Sequence, residues 1–436
     1  MDLGLVKSEF YPYNKRRMYT MCNVDCEQGG RYMDTLFEKF QRLGIDNAPG
    51  QETRQKEEVL DIRGEAIPGP AVNFSHGDVD AHIPTPGSLE IFNEGFKKGG
   101  CVAYTEYRGG DEIRKDVAAK LAAFTGAPID PENELILTPG TQGALFLALG
   151  CLVGRGDKVA IVEPDYFDNR KLVEFFEGEL VPVKLDYLSQ DSCAGVNLPA
   201  LEESFKQGVK LFLFSNPNNP TGVIYSQHEI ETIAALAKKY NVILLVDQLY
   251  SRQIFENHPY THLRALKEKP DNMLTIMGPS KTESLSGFRL GTAFGTSWII
   301  ERMEKLQAIV TLRCPGYCQY VFKCWFNEPE GWLADRIKQH QAIRDDLIAL
   351  VRSHEGCQVR KTEGGSYIFP TLPPMDVSIS DFAKIVRKLT GVVITPGTEF
   401  GPQFTHSFRV NFSQDRKNSA DAIDRVLQVM ERYRSK

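Results

Sequence analysis

Residues 273–291 read MLTIMGPSKTESLSGFRLG, and no other stretch of the chain says as much about its fold and chemistry. The five apolar residues at its start predict a buried strand, and Lys281 follows in a loop that also contains Arg289. A lysine amine at the end of a buried strand can form a Schiff base with an aldehyde. A lysine is, however, more often a solvated surface residue. This segment alone leaves both interpretations open, so the rest of the chain has to decide between them.

Short apolar segments alternate with helical segments between about residues 88 and 300. Seven strands are predicted, beginning at Glu134, Lys158, Glu179, Lys210, Val242, Asn272 and Arg289. Helical periodicity predicts intervening helices that include 112–124, 142–151 and 228–239. Continuous Val, Ile and Leu runs between helices are typical of a buried, mainly parallel sheet. In such a sheet the ligand binds at the carboxyl ends of the strands.

The pattern changes after residue 300. Long helical segments extend to about residue 351, and strand segments near 366, 392 and 407 follow, with a helix at 379–389 and a terminal helix from Ala420. We therefore expect three regions: an N-terminal extension with part of a small domain (1–87), a large α/β domain (88–310), and a connecting helix with the C-terminal small domain (311–436). Within the extension, residues 32–43 have apolar positions at helical spacing.

The composition is that of a globular protein with a mildly acidic balance. Its 436 residues include 51 Lys and Arg against 57 Asp and Glu, a net charge of −6, which argues against nucleic acid as a main partner. No apolar run is long enough to cross a bilayer and the first twenty residues are too polar for a signal peptide, so no membrane partner is expected. Nine cysteines without the density of a disulfide scaffold fit a reducing cytoplasm. Their spacings match no standard zinc pattern, so no metal site is expected.

Four motifs have polar or aromatic residues just beyond predicted strands. Thr141 and Gln142 open a helix in TPGTQGAL, where free N–H groups suit a phosphate, although such residues at a helix start are more often only a cap. Asn219 lies in NPNNPTG, which would form a turn in any case. Asp247 follows an apolar strand in VDQLY, a costly position for an acid unless it pairs with a cation. Tyr166, in EPDYFDN, could stack on a flat ligand.

In their sequence order and spacing these motifs resemble the class I/II aminotransferases, the fold-type I family that uses pyridoxal 5′-phosphate (PLP). The resemblance covers about residues 72–412. It implies an α/β fold with a mainly parallel seven-stranded sheet in a large PLP-binding domain and a smaller α+β domain. It also implies an aminotransferase whose substrates are an amino acid and a 2-oxo acid, with PLP as cofactor. A homodimer with composite active sites is expected on the same ground.

The resemblance also assigns the cofactor contacts and the catalytic residues. Lys281 would form the Schiff base, Asp247 would pair with the pyridinium nitrogen, and Tyr250 would bind the phenolic oxygen; these three are the expected catalytic residues. Asn219 would bind the same oxygen and lie near the substrate, and Tyr166 would stack on the ring. The expected phosphate ligands are Thr141, Gln142, Ser280 and Arg289, with Tyr104 reaching the phosphate of the neighbouring subunit.

Substrate contacts are implied at three further positions. Arg409, in SFRVNF, would clamp the α-carboxylate, because a bidentate fork for a carboxylate calls for arginine. Gly77 is a second expected contact. Arg313 lies roughly where dicarboxylate-specific relatives have an arginine that crosses the dimer interface, and an arginine that only packs its stem is the competing interpretation. Two positions depart from the family pattern, since Gly278 stands where serine is common and Gln248 where an acid is usual.

The cofactor residues do not separate transamination from other reactions of the family. The same residues serve elimination, replacement and cyclisation, as in 1-aminocyclopropane-1-carboxylate synthase, whose lysine motif resembles SLSGFRLG. A third hypothesis is a regulatory module that binds the cofactor without turnover. Residues 1–70 argue against it, because they are not markedly basic and show no helix-turn-helix pattern.

Overall fold

The computed structural model describes residues 59–75, 81–100, 104–188 and 193–435, together with Lys39 and Leu43. The chain divides into two compact units, residues 1–47 and 48–436. In the first unit Lys39 and Leu43 are helical, and the other residues of the amphipathic stretch predicted at 32–43 lie outside the described residues. All the other described residues belong to the second unit.

Strands and helices alternate through most of the second unit. Its described residues form the strands β1 (Val72–Asn73), β2 (Leu135–Pro139), β3 (Lys158–Glu163), β4 (Glu179–Lys184), β5 (Leu211–Ser215), β6 (Ile243–Asp247), β7 (Met273–Met277), β8 (Leu290–Gly295), β9 (Tyr367–Ile368), β10 (Val392–Val393), β11 (Thr395–Pro396) and β12 (Phe408–Asn411). The longer helices are Ser88–Gly95, Asp111–Thr125, Gly140–Leu152, Phe167–Phe175, Leu198–Lys206, Gln227–Tyr240, Ser297–Val310, Trp332–Arg352, Ile379–Thr390 and Arg416–Glu431.

The seven strands predicted between residues 134 and 295 form one sheet. Its order is β2-β8-β7-β6-β5-β3-β4. Strand β8 runs antiparallel to both of its neighbours, and the other pairs are parallel. The predicted α/β class with a mainly parallel seven-stranded sheet is therefore confirmed.

Both faces of this sheet are covered, which explains why its strands are apolar without alternation. Phe212 and Phe214 of β5 belong to one hydrophobic core, whereas Leu211 and Leu213 of the same strand belong to another. Successive side chains of a strand point to opposite faces. Each face therefore needs its own apolar residues, and helices pack on both sides.

A separate hydrophobic core lies among the C-terminal elements. The three-stranded antiparallel sheet β11-β12-β9 packs with the helices Trp332–Arg352, Ile379–Thr390 and Arg416–Glu431 around buried apolar residues such as Phe382 and Val426. The terminal helix begins at Arg416, before the predicted start at Ala420. The reason is local: the Asp415 side chain accepts a hydrogen bond from the N–H of Asn418 at 2.8 Å and caps the helix there.

The sheet brings the motif-bearing loops to one edge. Ser215 at the end of β5 is paired in register with Asp247 at the end of β6. The loops after β2, β3 and β7 leave the same edge, because these strands run parallel to β5 and β6. Within the described residues no helix is long and apolar enough to cross a membrane. The same part of the chain has no group of three or more His, Cys, Asp or Glu arranged to hold a metal ion.

Candidate active site

A cavity of about 410 Å³ lies at the carboxyl edge of the parallel strands. It brings together residues from distant parts of the chain, among them Ser75 and Arg409, which are 334 positions apart. Ten of the residues predicted from the sequence line it: Thr141, Gln142, Tyr166, Asn219, Asp247, Tyr250, Ser280, Lys281, Arg289 and Arg409. The prediction that these motifs meet at one site therefore agrees with the geometry.

Lys281 is half-buried at the wall of this cavity. No described acidic side chain lies within ion-pair distance of its amine. The loop around it is held by the neighbouring Glu283, which is buried and ion-paired with Arg252. Arg252 also pairs with Glu328 at 2.7 Å, and the backbone carbonyl of Glu283 accepts from the N–H of Thr85 at 3.0 Å. These contacts fix the backbone of the loop and leave the lysine amine available.

Asp247 ends β6 and faces the cavity with a carboxylate that is largely removed from water. Burial raises its pKa to about 6, against the opposing effect of a hydrogen bond from the N–H of Leu249 to Oδ1 at 3.0 Å. No described residue donates a hydrogen bond to its Oδ2. A buried carboxylate with a free oxygen is costly in the protein alone. It fits a cationic group that a ligand brings into the cavity.

Asp165 is a second buried aspartate near the cavity, and the sequence interpretation missed it. Its carboxylate accepts hydrogen bonds from the N–H of Tyr166 at 2.7 Å, from the N–H of Ser215 at 3.1 Å, and from the Ser215 hydroxyl. The Ser215 oxygen accepts in turn from the N–H of Asn219 at 3.1 Å. Burial raises the pKa of Asp165 to about 7. Asp165 therefore ties the backbone at Tyr166 to the backbone at Asn219.

The helix Gly140–Leu152 begins at one end of the cavity, and no side chain caps its first turn. Its free N–H groups and the Arg289 guanidinium together form an anion site. Gly140 has φ 74°, and a Cβ there would lie 2.3 Å from Nη2 of Arg289. Gly278 is also required, since its Cβ would lie 2.9 Å from Cγ2 of Thr141. A serine at position 278 would not fit, and Ser280, which is buried and lines the cavity, offers the nearby hydroxyl.

The amide of Gln142 is engaged by a neighbouring acid. Its Nε2 donates to Asp168 at 2.8 Å, and the Tyr166 hydroxyl donates to the same Asp168 oxygen at 2.8 Å. Burial raises the pKa of Asp168. The contribution of Gln142 to an anion site would therefore come from its backbone N–H. The sequence offered one signal for Asp168, an acid two residues after the expected stacking aromatic.

Arg409 lies at the opposite side of the site on β12, where it is only 2% exposed. Its Nη1 donates to Oδ1 of Asn219 at 3.1 Å and its Nη2 donates to the carbonyl of Ser75. No described residue accepts a hydrogen bond from its Nε. Because this buried guanidinium also lines the cavity, its fork of donors is suited to a carboxylate ligand.

Tyr367 packs beside this guanidinium and was also missed. The Arg409 guanidinium carbon lies 4.6 Å from the centre of its ring. The Tyr250 hydroxyl donates to the Tyr367 hydroxyl at 2.8 Å. The sequence motifs gave no reason to select Tyr367, because its link to Tyr250 spans 117 positions of the chain.

The two other predicted residues that the structure describes lie elsewhere. Gly77 is outside the described residues. Tyr104 is 74% exposed and does not line the cavity. The Arg313 guanidinium carbon lies 4.4 Å from the ring centre of Tyr104 and 4.3 Å from that of Tyr107, and its Nε donates to the carbonyl of Thr105. A single copy of the chain therefore places Tyr104 and Arg313 together, but outside the cavity.

The groups around the cavity fit PLP. The anion site suits the phosphate of PLP, the unpaired amine suits its aldehyde, and the carboxylate with a free oxygen suits its ring nitrogen. The aromatic side chain suits the ring face, and the arginine suits the carboxylate of the substrate. At the carboxyl edge of a mainly parallel seven-stranded sheet, this combination is that of the fold-type I PLP-dependent transferases.

The chain belongs to the aminotransferases of class I and II, whose family model matches residues 71–426. A crystal structure of an aspartate aminotransferase from Rhodobacter sphaeroides 2.4.1 is 56% identical, with a TM-score of 0.86, and the match covers 92% of this chain and 100% of that one. The aspartate aminotransferase of Sulfolobus acidocaldarius is 30% identical over 371 residues, 82% of this chain and 90% of that protein. An aromatic aminotransferase structure from Pyrococcus horikoshii OT3 shares the fold at 24% identity and a TM-score of 0.76, over 83% of this chain and 96% of that one.

This protein is therefore a PLP-dependent aminotransferase that acts on an amino acid and a 2-oxo acid, as predicted. None of these relatives favours the elimination or cyclisation reactions that the cofactor residues left open.

Proposed function

We propose that Lys281 binds PLP covalently and that the chain transaminates acidic amino acids. The observation that carries the covalent role is the position of the unpaired Lys281 amine, in one cavity with the half-buried Asp247 side chain and the buried Arg409 guanidinium. The acidic substrate rests on the relatives, since the similar proteins from Rhodobacter sphaeroides and Sulfolobus acidocaldarius are aspartate aminotransferases.

Each residue of the cavity has a defined task in this proposal. Bound PLP supplies a carbonyl that an amine can attack and a ring that withdraws electrons from the substrate α-carbon. Asp247 keeps a negative charge where the ring nitrogen carries its proton. Arg409 holds the α-carboxylate and so fixes which bond of the α-carbon faces the ring. The Lys281 amine, once released by the substrate, would take the proton from the substrate α-carbon and deliver it to the former aldehyde carbon of the cofactor.

The other residues of the site position these groups. Tyr166 and Asn219 orient the ring, Tyr250 binds its phenolic oxygen, and the anion site formed by Thr141, Gln142, Ser280 and Arg289 anchors the phosphate.

We further propose a homodimer whose two sites each use residues of both copies. The residues around Tyr104 and Arg313 support this, because Tyr104, Ile309, Val310 and Leu312 are 74%, 81%, 47% and 43% exposed. Large apolar side chains grouped at a surface are typical of an interface. Tyr104 and Arg313 would then reach the cavity of the other copy.

We also propose the domain division predicted from the sequence and a cytoplasmic location. The separate hydrophobic cores around the large sheet and among the C-terminal elements support a large and a small domain. Nine cysteines in 436 residues, without the density of a disulfide scaffold, fit a reducing compartment.

Chemical trapping tests the assignment of Lys281. Borohydride reduction of the purified protein, followed by peptide mapping, should find the cofactor on Lys281. Lys281→Ala should bind PLP without a covalent link and lose turnover. As a matched control, Lys115→Ala removes an exposed lysine that pairs with Asp111, and it should change neither property. An adduct on another lysine would show that the assignment is wrong.

A substrate panel tests the preference for acidic substrates. Aspartate or glutamate should convert bound PLP to pyridoxamine phosphate more efficiently than apolar amino acids do. Arg313→Ala should weaken the binding of an acidic substrate by about 2–5 kcal/mol, the size expected when one partner of a buried charge pair is removed. The binding of apolar substrates should be affected much less. Arg155→Ala, which removes an exposed arginine paired with Glu177, is the control. If Arg313→Ala weakened the binding of both substrate types equally, Arg313 would be an interface arginine that only packs its stem.

A further inference from the structure

Tyr250 and Tyr367 form a hydroxyl pair inside the cavity. Their oxygens are 2.8 Å apart, both residues are buried, and both line the cavity with Lys281. Their rings meet edge to face, with centres 5.4 Å apart. The pair connects two parts of the site, because Arg409 lies over the ring of Tyr367 while Tyr250 is the proposed ligand of the cofactor oxygen.

A phenol has one hydrogen to donate, and this sets the direction of the pair. In the protein alone the Tyr250 hydroxyl donates to Tyr367. If Tyr250 instead donates its hydrogen to the phenolic oxygen of PLP, it can remain bonded to Tyr367 only as an acceptor. Tyr367 must then be the donor, which a rotation of its O–H bond achieves without moving a heavy atom.

We infer that Tyr367 is a positioning residue of the cofactor site, whose hydroxyl donates to Tyr250 and thereby directs the Tyr250 hydrogen to the cofactor oxygen. This inference rests on the proposed function of Lys281 and Tyr250. It adds a residue that acts through Tyr250, and it makes the two hydroxyls one chain of hydrogen bonds. Such chains polarise one another, so the second donor strengthens the first.

The charges around the pair support this direction. Burial opposes ionisation of Tyr367, but the positive charges of Arg409 and Lys281, together with the hydrogen bonds from Tyr250 and Asn411, outweigh it and lower the pKa of its phenol. Burial raises the pKa of Tyr250, and the charge and hydrogen bond of Tyr367 raise it further, with a smaller contribution from Asp247. The positive guanidinium of Arg409, 4.6 Å from the centre of the Tyr367 ring, therefore favours Tyr367 as the donor once the Tyr250 hydrogen is used elsewhere. Tyr166 also faces Tyr367, and burial keeps its phenol neutral by raising its pKa.

The pH dependence of the absorbance of bound PLP tests the inference without using activity. A hydrogen bond to the phenolic oxygen stabilises the negative charge there and favours loss of the neighbouring proton. Tyr250→Phe should raise the apparent pKa of the spectral change by about one unit, the loss of a hydrogen bond to a charged group. Tyr367→Phe should raise it by about 0.3 unit, the scale of cooperative strengthening by the second donor.

The double variant separates action through Tyr250 from independent action. Tyr250→Phe/Tyr367→Phe should match Tyr250→Phe alone, because Tyr367 has nothing to direct once the Tyr250 hydroxyl is gone. Tyr225→Phe is the matched control, since Tyr225 is fully buried and its hydroxyl has no hydrogen-bond partner among the described residues. It should leave the spectral pKa unchanged.

Each alternative result decides against the inference. An unchanged pKa in Tyr367→Phe would make the residue structural only, and so would a Tyr367→Phe chain that fails to fold by circular dichroism. If Tyr367→Phe raised the spectral pKa by the same amount with and without the Tyr250 hydroxyl, Tyr367 would act independently of Tyr250. A wild-type protein without a pH-dependent cofactor band, or with its borohydride adduct elsewhere, would instead contradict the proposed role of Lys281.

Discussion

Two aspartates at the carboxyl ends of strands of the same sheet, the half-buried Asp247 and the buried Asp165, use their carboxylates differently. Asp247 accepts one hydrogen bond from the described residues, from the N–H of Leu249, and presents its free oxygen to the cavity. Asp165 accepts from two backbone N–H groups and a hydroxyl, so both of its oxygens are used within the protein. The comparison teaches that a buried acid with unused acceptor capacity marks a ligand, whereas a saturated one marks a structural support.

The largest effect should come from Asp247→Asn. A neutral amide cannot hold a proton on the ring nitrogen, so kcat/KM should fall by about three orders of magnitude, roughly 4 kcal/mol. Stability should change little, because the amide oxygen can still accept from Leu249 while the NH₂ group faces the cavity. Steady-state kinetics and thermal unfolding of the same preparation measure both. A variant with near-normal turnover would show that Asp247 does not serve the ring nitrogen.

Asp165→Asn should reduce the stability of the protein more than its turnover. One oxygen of Asp165 faces the N–H of Tyr166 and the other faces the N–H of Ser215, so an amide must point a donor at a donor. We expect a loss of about 1–3 kcal/mol in the free energy of unfolding. Turnover should fall only to the extent that the lost hydrogen bonds displace Tyr166 and Asn219. Urea unfolding measures the stability, and a variant as stable as wild type would remove Asp165 from its supporting role.

The third expected effect is on the pH dependence of the stability of the cofactor-free protein. Burial raises the pKa of Asp247 to about 6 and that of Asp165 to about 7, both from 3.8. The folded state therefore holds these protons more tightly than the unfolded state does. Their contribution to stability is fully present below pH of about 4 and is lost as pH rises through about 6 to 7.

The two variants distinguish the contributions of these groups. In cofactor-free Asp247→Asn, the loss of stability through about pH 6 should be smaller than in the wild type, and the loss near pH 7 should remain. Added PLP should also reduce the loss of wild-type stability as pH rises through about 6, since a cationic ring nitrogen favours the ionised Asp247. Urea unfolding between pH 5 and 8 measures these differences. Identical pH profiles for wild type and variant would mean that Asp247 titrates normally.

Much of the fold could be predicted because its signals are local. The apolar runs at β5 and β6 identify strands buried on both faces, and the turn residues in NPNNPTG mark where a strand ends. The predicted start of the terminal helix at Ala420 was four residues late, because the Asp415 side chain caps the helix and starts it at Arg416. Even that error was one of local chemistry, and the cap was readable in the sequence.

The sequence by itself determined which residues end strands and which chemical groups the site contains. Lys281 and Asp247 were predicted as site residues because they follow strands of a parallel sheet, whose carboxyl ends meet at one edge. Arg409, on a strand of the small antiparallel sheet, was predicted only from the resemblance to the family. The tertiary structure alone decided which acceptors and donors remain unused. Asp165 meets Ser215 across 50 positions and Tyr250 meets Tyr367 across 117. Hydrogen bonding depends on distances of about 3 Å and on direction, and neither is encoded by the spacing of residues along the chain.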